Sequence, residues 1–202
     1  MIRIILFNAN RISSIQLNNN TGAINSPFTT EFIISQDMKI IFNEDIAAVK
    51  SATDKSNDLL KNAEFYKAIA NHPNFDLSTA SPAIIAGLLD KSDLEFKVEI
   101  FYPSILQAIK YRKTFAYSDE RYPNTLFLNF KKLDREVEDI AATIIHESIH
   151  ALDEVDEEYS FGHGNNSSVG KENTAPYWIG NLAYQILKAN PGAPSLAFDQ
   201  KE

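Results

Sequence analysis

The chain has 202 residues, 44% of them apolar and 23% charged, which suits one globular domain and excludes a disordered, collagen-like or coiled-coil chain. It has no cysteine, so disulfides, thiolate zinc clusters, iron–sulfur sites and a cysteine nucleophile are ruled out. Nineteen Lys and Arg against 27 Asp and Glu give a net charge of −8, a balance that offers little counterion-releasing surface to a nucleic acid, and none is expected as a partner.

The first 50 residues read as a β-rich N-terminal segment or accessory lobe. Met1–Ala9 and Ile12–Leu17 are short β-rich runs, followed by the turn Asn18-Asn19-Asn20-Thr21-Gly22. Phe28–Ile34 and Met38–Phe42 flank Ser35-Gln36-Asp37 as a hairpin would. The apolar run near Met1 has four residues, short of the roughly 7–15 of a signal peptide. No window approaches the roughly 18 apolar residues of a membrane span. The expectation is a protein without a membrane span, either cytoplasmic or secreted by a signal-peptide-independent route.

From about Ser56 the period changes. Leu59, Leu60, Ala63, Phe65, Tyr66 and Ile69 recur at helical spacing, and that helix should end before His72-Pro73. Ser81-Pro82 supplies an N-cap and first-turn proline for a helix to Leu89. Leu94–Tyr102 alternates as a strand, Ser104–Tyr111 suits a short helix, and Thr125–Phe130 suits a strand with Leu126, Leu128 and Phe130 on one side. The basic residues Lys110, Arg112 and Lys113, with Lys131 and Lys132, read as a solvated face. The strongest helix follows, with Asp134 as N-cap, running to about Asp153. A loop rich in Gly and Asn covers Gly162–Ser168, Thr174 can cap a last helix through Lys188, and the tail from Asn190 is proline-rich.

The chemistry lies in His146-Glu147-Ser148-Ile149-His150. Two histidines four apart on a helix stand about 40° apart on one face, one turn above the other. Two such imidazoles can bind one Zn²⁺ at about 2.0–2.1 Å each. Glu147 lies one step round the helix, where it reaches a metal-bound water rather than the metal, and can take that water's proton. Ile140, Ile144, Ile145, Ile149 and Leu152 form the opposite, apolar stripe. A catalytic zinc needs a third protein ligand and an open position. His163, set between Gly162 and Gly164, is the leading candidate; Asp156 and Glu172 are its main rivals, with Asp153 and Glu157 behind. His72 reads as a surface or capping residue, and Trp178 as core.

This helix resembles that of the zincin metallopeptidases, and the resemblance covers residues 120–190. The strand Thr125–Phe130, a loop, and then Ile140–Glu147 are similar to the edge strand and active helix of that family. The metzincin branch carries a glycine three and a histidine six residues after the second histidine; here Asp153 and Asp156 occupy those positions. Phe161-Gly162-His163 resembles the branch's third-histidine turn displaced by a seven-residue insertion, and no methionine follows Met38 to form a Met-turn. The resemblance implies an α+β fold: a zincin-like catalytic domain with a mixed sheet, an active-site helix and a C-terminal helix. Residues 51–192 would be its core within a single domain of residues 1–202. It implies one Zn²⁺ per chain held by His146, His150 and His163, Glu147 as base, and Tyr177 or Tyr159 as hydrogen-bond donor to the oxyanion. The expected activity is that of a narrow-specificity zinc metalloendopeptidase, an effector or toxin acting on protein or peptide, with substrate entering beside Thr125–Phe130. A non-catalytic zinc-binding or protein-interaction module on the same scaffold is the alternative, and Glu147 speaks against it. A third reading is a structural protein whose β-rich N-terminus does the work.

Overall fold

The computed structural model describes residues 38–111, 114–119, 121–163 and 169–189, with only the backbone of Ala108 and Lys110. The expected elements at Met1–Leu17 and Phe28–Ile34, and the tail from Asn190, lie outside the described residues. The rest is an α+β arrangement of a four-stranded mixed sheet and six helices. The strands are β1 (Lys39–Phe42), β2 (Glu95–Phe101), β3 (Ala116–Asp119) and β4 (Tyr122–Asn129), in the order β1-β2-β4-β3. β1, β2 and β4 are parallel, and β3 runs antiparallel to β4 along one edge. The helices are α1 (Ala47–Leu59), α2 (Ala63–Ala70), α3 (Pro82–Asp90), α4 (Ile105–Lys110), α5 (Val137–Val155) and α6 (Ala175–Lys188). No helix among the described residues is long and apolar enough to cross a membrane.

Alternation sets the sheet's two faces. In β2, Phe96 and Val98 are buried while Glu95, Lys97 and Glu99 are exposed. Leu126 and Leu128 of β4 join the buried side, against α5. α5 supplies Ile140, Ile144, Ile145, Ile149 and Leu152 to this core, each worth about 1.5–3 kcal/mol of transfer out of water. Its opposite stripe is left for the histidines. α6 lies along α5 and buries Ile179, Leu182 and Ala183. The start of α5 is joined to the end of α6 by the Glu136 carboxylate, which accepts from Lys188 Nζ at 2.7 Å and from the Tyr184 hydroxyl at 3.1 Å.

Several local expectations hold. Ser81 accepts a hydrogen bond from the Ile84 N–H at 3.3 Å with Pro82 in the first turn. Ser104 and Gln107 form a reciprocal capping box at the start of α4. Other expectations are corrected. The helix placed from Ser56 is two helices: α1 starts earlier, at Ala47, and the chain breaks before Asn62, whose side chain accepts from the Glu64 N–H to cap α2. α1 escapes a hydrophobic pattern because it buries the small polar residues Thr53 and Ser56. Ser56 Oγ donates to the Ala52 carbonyl at 2.8 Å, which lets α1 approach α5 closely. Met38–Phe42 holds a strand, β1, which pairs in parallel with β2; the hairpin expected with Phe28–Ile34 lies outside the described residues. The N-cap of α5 is Glu136, not Asp134. Phe130 leaves the strand for a short 3-10 turn and is exposed. Thr125–Phe130 is no edge strand: β4 is flanked by β2 and β3, and among the described residues the edge on that side is β3, which the sequence pattern did not reveal.

α5 and α6 approach closely at Gly180, where an added Cβ would stand 3.1 Å from His146 Cβ and 3.3 Å from the Ala142 carbonyl oxygen. A branched side chain has no room there. Gly180→Val should destabilise the protein by about 1–3 kcal/mol, read as a lower thermal midpoint. An unchanged midpoint would contradict this packing.

Candidate metal centre

α5 carries His146 and His150 one turn apart on its core-averse face, with ring centroids 5.1 Å apart. The third histidine arrives by a return of the chain after α5. Asp156, the C-cap residue, turns its side chain onto the following backbone: Oδ1 accepts from the N–H groups of Glu158 at 3.0 Å and Tyr159 at 2.7 Å. Ser160 is pinned to Thr79 from both sides, by Thr79 N–H to its carbonyl at 2.8 Å and its own N–H to Thr79 Oγ1 at 2.9 Å. Phe161 is fully buried in the core. Its N–H donates to Asp153 Oδ1 at 2.5 Å, clasping the loop to the last turns of α5. At Gly162 a Cβ would stand only 2.6 Å from Asp153 Oδ2 and 3.6 Å from His150 Nδ1, so glycine is needed for this approach.

His163, now buried, faces both helix histidines. Its Nε2 is 2.8 Å from His150 Nε2, and the ring centroids are 4.4 Å from His150 and 5.5 Å from His146. The three imidazoles offer ligand nitrogens within 4.8 Å of one another. Lys171 Nζ donates to the His163 carbonyl at 2.5 Å and fixes the loop from its far side.

Burial pushes the His146 imidazole down to about 3, helped by repulsion from His150 and His163. It pushes His150 down to about 4, helped by His163 and Lys171. Both are therefore neutral at ordinary pH, the form that binds a metal. The His146 ring also hydrogen-bonds the backbone of Pro176, which has only a carbonyl to accept with, and this orients the ring as outer-sphere acceptors orient ligating histidines. Three converging imidazoles, two of them held neutral, are a donor set that fits a borderline divalent ion such as zinc.

The centre opens into a cleft of about 580 Å³. One wall is the α5 stripe of Asp139, Thr143 and Glu147; the facing wall is Ala116–Ser118 of β3 with Thr114 and Phe115. Glu147 is half-buried there, and burial, with the nearby Glu154 charge, raises its carboxyl to about 7. Tyr177 closes one end, with its ring centroid 4.6 Å from His146 and 4.8 Å from His163. Burial and the Glu147 charge raise its phenol, which stays a protonated donor.

The structure thus brings together His146, His150, His163, Glu147 and Tyr177. It leaves the rivals elsewhere. Asp156 serves its own turn, Asp153 holds the loop, and Glu172 is exposed and accepts from the Gly170 N–H at 3.3 Å. Tyr159 bonds its neighbour Glu158 and does not line the cleft. His72 is no simple surface residue. It is stacked between Phe75 and Trp178, at 4.6 and 4.2 Å, and its Nε2 lies 2.8 Å from Asn173 Oδ1. The β3 wall and the Pro176 acceptor had no local sequence signal, since both arise from long-range pairing. Comparison with protein-family models, curated proteins and solved structures finds no match to this chain.

The low pKa values of His146 and His150 set a pH expectation. A proton competes with a metal only below the pKa of the metal-free imidazole, so competition at these two residues is deferred to acid pH. Two imidazoles at the ordinary 6.5 would together cost about 100-fold in affinity by pH 5.5. Zinc titrations should instead show a fall of less than about tenfold between pH 7.5 and 5.5. A loss of about 100-fold or more would contradict the desolvated, neutral cluster.

Proposed function

We propose that the protein is a zinc metallopeptidase of the zincin type, hydrolysing peptide bonds in a protein or peptide substrate. The observation that supports this most is the convergence of three imidazoles beside Glu147 on the wall of one open cleft. His146, His150 and His163 would hold the zinc, leaving a position open toward the cleft. Bound there, zinc supplies Lewis acidity toward a carbonyl and toward water.

The chain's own residues do the rest. Glu147, a carboxylate poised near neutrality, takes the proton of the attacking water and returns it to the departing amine. Tyr177 donates its phenolic hydrogen to the oxygen on which negative charge develops. An extended peptide can add to the edge strand β3, whose outer side has no partner among the described residues, and so lie along the cleft. The edge strand for this purpose is Ala116–Asp119 rather than Thr125–Phe130.

Glu147→Gln keeps the shape of the side chain and all three imidazoles. Zinc content should stay at one per chain while hydrolysis of an unfolded protein falls by about 10²–10⁴-fold. Wild-type protein loaded with zinc that cleaves no such substrate would favour a non-catalytic zinc-binding module; a fully active Gln variant would move the base elsewhere.

Tyr177→Phe removes only the hydroxyl. It should lower kcat by about 10–10³-fold with zinc content unchanged. Unaltered kcat would leave Tyr177 as a wall of the cleft.

A further inference from the structure

The second feature the fold assembles lies at the ends of the parallel strands. β2 and β4 pair with Phe101 opposite Asn129, so the next residues of each chain segment emerge side by side. Their rings, Tyr102 and Phe130, meet at 4.8 Å. The chain then continues from Tyr102 into α4 and from Phe130 into the turn bearing Lys131 and Lys132. The far end of α4 is tied to the same place, because Asn129 Nδ2 donates to the Tyr111 carbonyl at 3.3 Å and to the Thr114 carbonyl at 2.9 Å.

α4 presents its apolar residues to solvent. Ile105 is 85% exposed, Leu106 81% and Ile109 67%, with Tyr102 at 57% and Phe130 at 44% beside them. Exposure this high on a short helix means a protruding knob rather than a groove. The stretch of sequence that builds it is charged differently from the chain as a whole. Residues 103–135 carry seven Lys and Arg against three Asp and Glu, or +4, so the other residues of this −8 chain carry −12. Arg121 and Arg135 are paired with Asp119 and Asp139. Neither Lys131 nor Lys132 has an ion-pair partner among the described residues; Lys110 ends α4, and Arg112 and Lys113 follow it in sequence.

We propose that this knob is a docking surface for an anionic lipid membrane. Ile105, Leu106 and Ile109 enter the headgroup–acyl boundary, Tyr102 and Phe130 sit at its level, and Lys131 and Lys132 meet the anionic headgroups. A fluid bilayer suits it better than a folded partner does, since a protruding apolar knob needs no pre-shaped pocket in a membrane. Aromatic and basic residues around an apolar tip are the combination that an interface rewards. The surface does not depend on the peptidase reading: it uses none of the metal-centre residues.

The test is co-sedimentation of the full chain with vesicles of phosphatidylcholine alone, and of phosphatidylcholine with one third phosphatidylserine. Wild type should sediment with the anionic vesicles, less as salt rises, and hardly with the neutral ones. Leu106→Ser should weaken binding by at least about tenfold. Lys131→Ala, at an exposed site that leaves the apolar tip intact, should weaken it by about fivefold. Thermal unfolding of both variants should match wild type, which separates lost docking from lost folding. Failure to bind either vesicle, equal binding to both, or binding insensitive to Leu106 would overturn the proposal. So would a wild-type dimer that Leu106→Ser dissolves without any vesicle binding, which would assign the surface to a second copy of the chain.

Discussion

One carboxylate returns the chain to its own metal face. α5 ends at Val155, pointing away from the two histidines it carries, and twelve residues separate His150 from His163. Asp153 reverses that course by accepting the Phe161 N–H, while Phe161 itself is sunk in the core and Gly162 slips past the carboxylate where a Cβ could not. An acceptor that also carries charge makes a stronger bond than a neutral one. The third imidazole is thereby fixed against the other two by contacts that include no metal.

Charged imidazoles at such range would repel one another, and burial keeps the two on α5 uncharged. His146 and His150 are each kept far below an ordinary imidazole's pKa, first by desolvation and then by their neighbours. The same desolvation acts with opposite sign on Glu147, favouring its protonated form. One low-dielectric cleft therefore tunes ligands toward metal binding and a carboxyl toward proton exchange near neutrality. Around it the packing is economical. The apolar stripe of α5 faces the sheet, α6 closes over the side at Gly180, and β3 forms the opposite wall.

How much of this was legible in the sequence follows the range of the forces involved. The pair on α5 was readable because helical periodicity and the His-x-x-x-His spacing are local, and so was the cap at Ser81. His163 was readable from its flanking glycines, although the reason glycine is needed, the Asp153 carboxylate 2.6 Å from a would-be Cβ, is a contact that spacing does not show. α1 was misread because close helix packing used Thr53 and Ser56 in place of large apolar residues. The order of strands could not be read at all: whether β4 or β3 forms the edge depends on which segment pairs last, and four residues of mixed polarity in β3 give no pattern of their own. His72 was misjudged for the same reason: Phe75 is near it in the chain, but Trp178 and Asn173, which hold its other side, lie more than a hundred residues away.

The central claim is that three nitrogens of this chain, and no carboxylate, hold one zinc beside Glu147. X-ray absorption spectroscopy at the zinc edge, on protein loaded with one equivalent, tests it most directly. The account predicts three imidazole ligands at about 2.0–2.1 Å and one light exchangeable ligand, with one imidazole lost in His163→Ala. A ligand set containing two imidazoles and a carboxylate in the wild type, unchanged by His163→Ala, would contradict it.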